Sequence, residues 1–151
     1  AVKAIPEGFH SITPYLGIKE AAQAIDFYKK AFNATEVMRL TTPDGGIGHA
    51  ELRIGGSPIM LGTPCDEGPL RNPDQSPSVG LHLYVEDVDR MFAQAIAAGG
   101  TVISEVRDQF YGDRTGSLKD PYGHVWFLAT HKEDLTQEQI EQRAREMFQQ
   151  G

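Results

Sequence analysis

In "SITPYLGI", Ser11 to Ile18, apolar and polar positions alternate: Ile12, Leu16 and Ile18 fall on one face, Thr13, Tyr15 and Gly17 on the other. A period of two marks a half-buried β-strand. The spacing then lengthens. In "KEAAQAIDFYKKAFNA", Ala21, Ala24, Ile25, Tyr28 and Phe32 recur at helical intervals, and Asn33 is placed to close the helix. Three more strands follow, "TEVMRLTTP", "GIGHAELRIGG" and "SPIMLGTP", with Gly55-Gly56 as the hairpin signal between the last two.

The second half repeats this order. "VGLHLYV" reads as a strand with Leu81, Leu83 and Val85 on one face. Asp87 is placed to cap the helix in "VDRMFAQAIAAGG", and "TVISEVRDQF", "RTGSLKDP" and "HVWFLATH" are strands, the last two joined by the turn Asp120-Pro121-Tyr122-Gly123. Ile18 corresponds to Val85, Leu40 to Val106 and Leu61 to Leu128, so the halves run in step about 67 residues apart. The expectation is an α+β protein, residues 1–151 forming one domain. Residues 11–64 make a first βαβββ module, 65–78 a Pro-rich linker, 79–131 a second βαβββ module and 132–151 a C-terminal helix. Thr136 and Gln139 form a capping-box pattern at the start of that helix, and Ile140, Met147 and Phe148 give it an apolar stripe for its own domain or a second subunit.

One face of each sheet must bury against its helix. Parity assigns Ile12, Leu16, Ile18, Ile59, Leu61, Leu81, Leu83, Val85, Trp126 and Leu128 to that side. Thr13, Tyr15, Met60, Gly62, Gly80, His82, Tyr84, Val125, Phe127 and Ala129 take the other. If two curved mixed sheets face one another, these residues line a shared cavity with the apolar and aromatic character of a small-molecule site.

The stretches "AAQAIDFYKKAFNA", "LYVEDVDRMFAQAIAAGG" and "DPYGHVWFLATH", with the repeat, resemble the vicinal oxygen chelate superfamily of glyoxalase I, extradiol dioxygenases and fosfomycin- and bleomycin-resistance proteins. The likeness spans residues 11 to 131 and is nearest to the PhnB-like branch. It implies paired βαβββ modules, usually in a homodimer, and in the metal enzymes a cation held from the first and last strands of each module. Carried over, those positions are Thr13, Met60, Gly80 and Phe127, none a good ligand for a transition metal. The expectation is therefore no metal and no other cofactor, with a divalent ion on His82, His49 and Glu51 as the alternative.

His82 shares the open face of Gly80, two residues on, and is the candidate general base or orienting donor, against a plain satisfied histidine in a sheet. His49 and Glu51 share a strand face, as a chelating pair or simply its wetter side. His124 points to the helix side as a structural residue, His10 precedes the first strand, and His131 ends the last strand in solvent. Arg114 is a candidate for an anionic ligand group, against an ion pair with Asp113 or another acid. Asp120 reads as a turn residue.

Composition narrows the partners. Fourteen basic against 21 acidic residues give a net charge of −7, without the basic footprint that nucleic acid demands. No apolar run nears membrane-spanning length, and a single cysteine, Cys65, excludes an intramolecular disulfide. The picture is a cytoplasmic protein, with neither membrane nor nucleic acid as partner. It binds a small aromatic or apolar molecule without metal through Thr13, Tyr15, Met60, Gly80, His82, Tyr84, Arg114 and Phe127. The alternative is a lyase or isomerase of the superfamily.

Overall fold

The computed structural model describes residues 2–150. The first module is β1 (Tyr15–Gly17), α1 (Ala21–Phe32), β2 (Thr35–Thr41), β3 (Ile47–Ile54) and β4 (Ser57–Gly62). The second is β5 (Gly80–Tyr84), α2 (Val88–Ala98), β6 (Thr101–Asp108), β7 (Asp113–Lys119) and β8 (Val125–His131), followed by α3 (Gln137–Gln150). Each module builds one four-stranded mixed sheet, in the order β1-β4-β3-β2 and β5-β8-β7-β6. The first and last strands of each module run parallel, and the other pairs are antiparallel. This is the α+β architecture of two βαβββ modules and a C-terminal helix that the periodicity predicts.

The local signals act where expected. Asn33 stops α1 in the left-handed region, φ 57°, and its N–H returns to the Tyr28 carbonyl. The Asp87 carboxylate accepts from the Arg90 N–H at the start of α2. Thr136 and Gln139 exchange side-chain and backbone hydrogen bonds in a complete capping box. One strand is shorter than its sequence pattern. Ile12 is 86% exposed, not a core residue, because β1 begins only at Tyr15. Pro14, which has no N–H to give, ends the ladder there.

The two modules meet helix side to helix side. Gln94 of α2 donates its amide to the carbonyls of Lys30 and Ala31 and to Asn33 Oδ1, satisfying the open end of α1. Tyr28 and Phe32 of α1 pack on Trp126 of β8, with ring centroids 5.3 and 4.5 Å apart. One apolar core thus draws on both halves, from Leu16, Ile25 and Leu61 to Phe92, Leu118 and Leu128.

Asp120 is the polar pin of this junction. It is buried, and its Oδ1 accepts from the backbone N–H groups of Tyr122 and His124. Its Oδ2 accepts from the Tyr28 hydroxyl at 2.6 Å and from the Trp126 indole N–H at 3.0 Å. Burial, with the Asp120 carboxylate beside it, raises the Tyr28 phenol well above its ordinary value. His124 donates from Nε2 to the Gly17 carbonyl at 3.2 Å, a second tie between modules and the structural role expected of it.

The linker is folded rather than loose. The Arg71 guanidinium donates to the carbonyls of Asp66, Gly68 and Leu70, and Asn72 accepts from the Lys19 N–H. The tail helix is moored by Arg143, which grips both oxygens of Glu133 and the Phe110 carbonyl.

Candidate functional site

With both helices inside, the helix-free faces of the two sheets point outward. Tyr15 is 41%, Phe127 42% and Tyr84 58% exposed. Within one chain these faces are therefore not opposite walls of a common cavity. The apolar stripes of α1 and α2 are buried in the shared core instead, and removing that surface from water favours this arrangement.

On the first sheet the strand register lines up Tyr15, Met60, Glu51 and Met38 across the four strands. Tyr15 does not stay over its own neighbour. It reaches across β4 to His49 on β3, where the phenol oxygen lies 3.0 Å from Nδ1. His49 Nε2 lies 3.2 Å from Glu51 Oε1. A carboxylate only accepts, so Nε2 carries a proton, and in that tautomer of an imidazole Nδ1 is left to accept from the Tyr15 hydroxyl. The crossing is possible because residue 62 is glycine: a Cβ there would stand 3.2 Å from the phenol oxygen and 3.2 Å from the Gly48 carbonyl. Beside the phenol opens a pocket of about 420 Å³, bordered by Gly48, Gly62, Pro64, Pro69 and Leu70.

The second sheet carries a different set. His82 stands next to Phe127 in register, its ring nearly parallel to the phenyl at 6.3 Å and 4.8 Å from the Tyr84 ring. Gly80 makes room for Phe127, whose Cε2 would lie 2.5 Å from a Cβ at that position. The Tyr84 hydroxyl donates to Asp113 Oδ2 at 2.7 Å. His131 donates from Nδ1 to Asp113 Oδ1 and from Nε2 to Asp134 Oδ1, both at 2.7 Å. His131 is thus not merely solvated, as its place at the strand end predicts, but clasped by two carboxylates. Those hydrogen bonds, Asp113 first, raise it above its ordinary value. Burial alone would raise Asp113, but the hydrogen bonds from His131 and Tyr84 outweigh it and hold the carboxyl below its usual range.

Of the sequence candidates, Tyr15 and Met60 share one open face, and Gly80, His82, Tyr84 and Phe127 share the other. Thr13 lies half-buried ahead of β1. Arg114 does not join either group. It turns toward α2, its Nε and Nη2 on the two oxygens of Asp89 at 2.8 and 2.9 Å and its Nη1 near Asp108. His10 is exposed and borders a crevice of about 170 Å³ with Ile12, Pro58, Ile59 and His82. Periodicity could not disclose that Tyr15 meets His49, nor that Asp113 meets His131. The one sequence signal for the former is the glycine at 62, on the same face and between them.

The metal positions implied by the resemblance bear a hydroxyl, a thioether, a hydrogen atom and a phenyl ring at Thr13, Met60, Gly80 and Phe127. No group of three or more His, Cys, Asp or Glu residues able to hold an ion occurs among the described residues. The donor set does not fit the superfamily's divalent metal. Nor is any described helix long and apolar enough to cross a membrane.

Two βαβββ modules in sequence, each with a mixed sheet open on one side, define the class of fold. The profile of the Glyoxalase/Bleomycin resistance protein/Dioxygenase superfamily matches residues 8–128, and the chain belongs to that family. An uncharacterised protein of Mycobacterium bovis is 40% identical over 136 residues, covering 87% of this chain and 90% of its own. Among solved structures, TioX from Micromonospora sp. ML1 superposes with a TM-score of 0.62 at 23% identity, over 84% of this chain and 100% of that one. The fosfomycin resistance protein FosX from Listeria monocytogenes gives 0.61 at 18% identity, over 87% and 97%. A PhnB protein from Bacillus cereus, described as a putative 3-demethylubiquinone-9 3-methyltransferase, gives 0.64 at 21%, over 80% and 99%. These likenesses carry the fold.

Proposed function

We propose that the protein binds a small aromatic or apolar organic molecule on its open sheet faces without a metal ion. The observation that carries this reading is the exchange at Thr13, Met60, Gly80 and Phe127. Where the metal enzymes of the superfamily present ligands, this chain presents apolar or non-ligating groups, with exposed rings of Tyr15, Tyr84 and Phe127 around them. Such rings offer large contact area at low conformational cost. Because one chain supplies no opposing wall, the reading includes a second copy of the chain that covers these faces.

Elemental analysis of protein purified without a metal-binding tag, combined with a thermal-shift screen of aromatic metabolites and antibiotics, tests the proposal. The expected result is substoichiometric transition metal and stabilising ligands whose effect survives a chelator. A stoichiometric divalent ion, or binding abolished by the chelator, would favour the lyase or isomerase reading instead. Sedimentation velocity showing only monomer at the binding concentrations would remove the second copy.

A further inference from the structure

Three groups on the first sheet stand in the order of an activated hydroxyl: the Glu51 carboxylate, the His49 imidazole and the Tyr15 phenol. Such a chain, in which a third group fixes the tautomer of a base and the base receives a hydroxyl proton, is the general arrangement for moving a proton at neutral pH. His82, the histidine that parity singles out, is hydrogen-bonded to no carboxylate among the described residues and is flanked by the rings of Tyr84 and Phe127.

The setting is built rather than incidental. His49 and Glu51 keep only 26% and 18% of their side-chain surface, so the pair lies low in the sheet surface with the phenol as its outlet. Gly62 clears the path across β4. Tyr15 borders the pocket of about 420 Å³, while His49 and Glu51 are not among its borders. Of the three groups only Tyr15 borders the pocket, whose other side chains with heteroatoms are Thr63 and Cys65. Gly48 and Gly62 present no side chains, leaving a surface a flat ring can lie on, and Pro64, Pro69 and Leu70 give apolar sides.

We propose that this pocket takes small aromatic molecules bearing an ionisable hydroxyl, phenols above all, and that the Tyr15–His49–Glu51 relay removes the hydroxyl proton on binding. The proposal rests on the reading of the open faces as binding surfaces and names the ligand class for one of them. The Tyr15 proton is committed to His49 Nδ1, so the phenol oxygen faces the ligand as an acceptor. The ligand O–H bond breaks, and its electron pair stays on the ligand oxygen. The proton goes to Tyr15 Oη while the original Tyr15 proton passes to His49 Nδ1. The product is a bound phenolate, a neutral Tyr15 that donates to it, and an imidazolium held by Glu51. No oxidant or second reactant is needed. Tyr15 touches the ligand; His49 and Glu51 act through it as positioning residues.

The test uses 4-nitrophenol, whose neutral and ionised forms absorb at different wavelengths, with nitrobenzene as the ring lacking a hydroxyl. Bound to the whole protein, 4-nitrophenol is expected to ionise at a pH about one unit below that of the free compound, roughly tenfold in its ionisation equilibrium. Tyr15→Phe and His49→Ala should still bind the ring but lose the phenolate band. Glu51→Gln, which keeps an acceptor for Nε2 without the charge, should show a reduced shift. If Tyr15→Phe or His49→Ala does not fold, Glu51→Gln alone decides: an undiminished shift overturns the proposal. A phenolate band that persists in a folded Tyr15→Phe protein also overturns it, as does binding of 4-nitrophenol in its neutral form. Nitrobenzene bound and 4-nitrophenol not bound would sink the relay and leave the binding surface standing. If neither binds, both readings fall.

Discussion

The two modules share a scaffold and almost none of its outward chemistry. Strand register equates Tyr15 and Met60 in the first with His82 and Phe127 in the second, and places Thr115 and Ser117 where the first has His49 and Glu51. Inward positions keep their character: Leu61 and Leu128 are both fully buried, as are Tyr28 of α1 and Ala95 at the matching turn of α2. The first module collects its polar groups mid-sheet, beside a pocket. The second sets the rings of His82, Tyr84 and Phe127 beside Thr115 and Ser117 and joins its ionisable groups where β7 begins and β8 ends, Asp113 to His131 and His131 to Asp134. Packing constrains one face of a sheet closely, while the other is free to change its side chains at little cost to the fold. The lesson is that the repeat predicts the core of one half from the other but not its chemistry.

The largest expected effect lies where the halves are joined. Asp120→Ala leaves the Tyr28 hydroxyl, the Trp126 indole and two turn N–H groups without their acceptor. The cost expected from chemical denaturation is about 3–5 kcal/mol, the range for stripping a buried charged partner from several donors. A loss under about 1 kcal/mol would mean that the modules hold together by apolar packing alone.

The helix stops give the next contrast. α1 ends on Asn33 at φ 57° and α2 on Gly99 at φ 128°. An L-residue with an ordinary Cβ tolerates the first conformation poorly and the second worse. Asn33→Ala is therefore expected to cost about 1–2 kcal/mol and Gly99→Ala about 2–3 kcal/mol in equilibrium unfolding. The reverse order would show that the hydrogen bond from Gln94 to Asn33 Oδ1 matters more than backbone conformation.

Much of the fold was legible because it rests on local rules. The 3.6 and 2.0 periods, the caps at Asn33, Asp87 and Thr136 and the offset near 67 residues located the helices and the strand grammar of both modules. The exceptions were physical. Proline 14 shortened β1 and left Ile12 in solvent. The packing of helix on helix turned the open faces outward, a decision between two burials that no single strand reports. Parity placed Tyr15, Met60, His82, Tyr84 and Phe127 on open faces. Arg114 escaped it, because a long side chain follows its best carboxylates, here Asp89 and Asp108. The contacts Tyr15–His49 and Asp113–His131 depend on which strands neighbour one another, which alternation within a strand leaves open.

The smallest effect is a pH dependence confined to one module. At the positions of Asp113 and His131 the first module has Ile47 and Pro64, neither of which titrates. In the second, His131 is raised from its ordinary 6.5 by the hydrogen bonds to Asp113 and then Asp134. A raised folded-state value means that its contribution to stability is full below pH 6.5 and is lost as pH climbs through the folded value. Asp113 works from the other side. Its value is held below 3.8 against the opposing pull of burial, so its contribution is full above that pH and fades as pH falls through the folded value. The link from Tyr84 through Asp113 and His131 to Asp134 is therefore best held in mildly acidic solution. The thermal midpoint should decline on the alkaline side of pH 6.5, and His131→Gln should flatten that limb while leaving the acid limb in place. NMR titration of the His131 ring locates the folded value directly. A ring titrating at or below 6.5 would show that the two carboxylates do not hold it, and the ends of the two sheets would then differ in sequence alone.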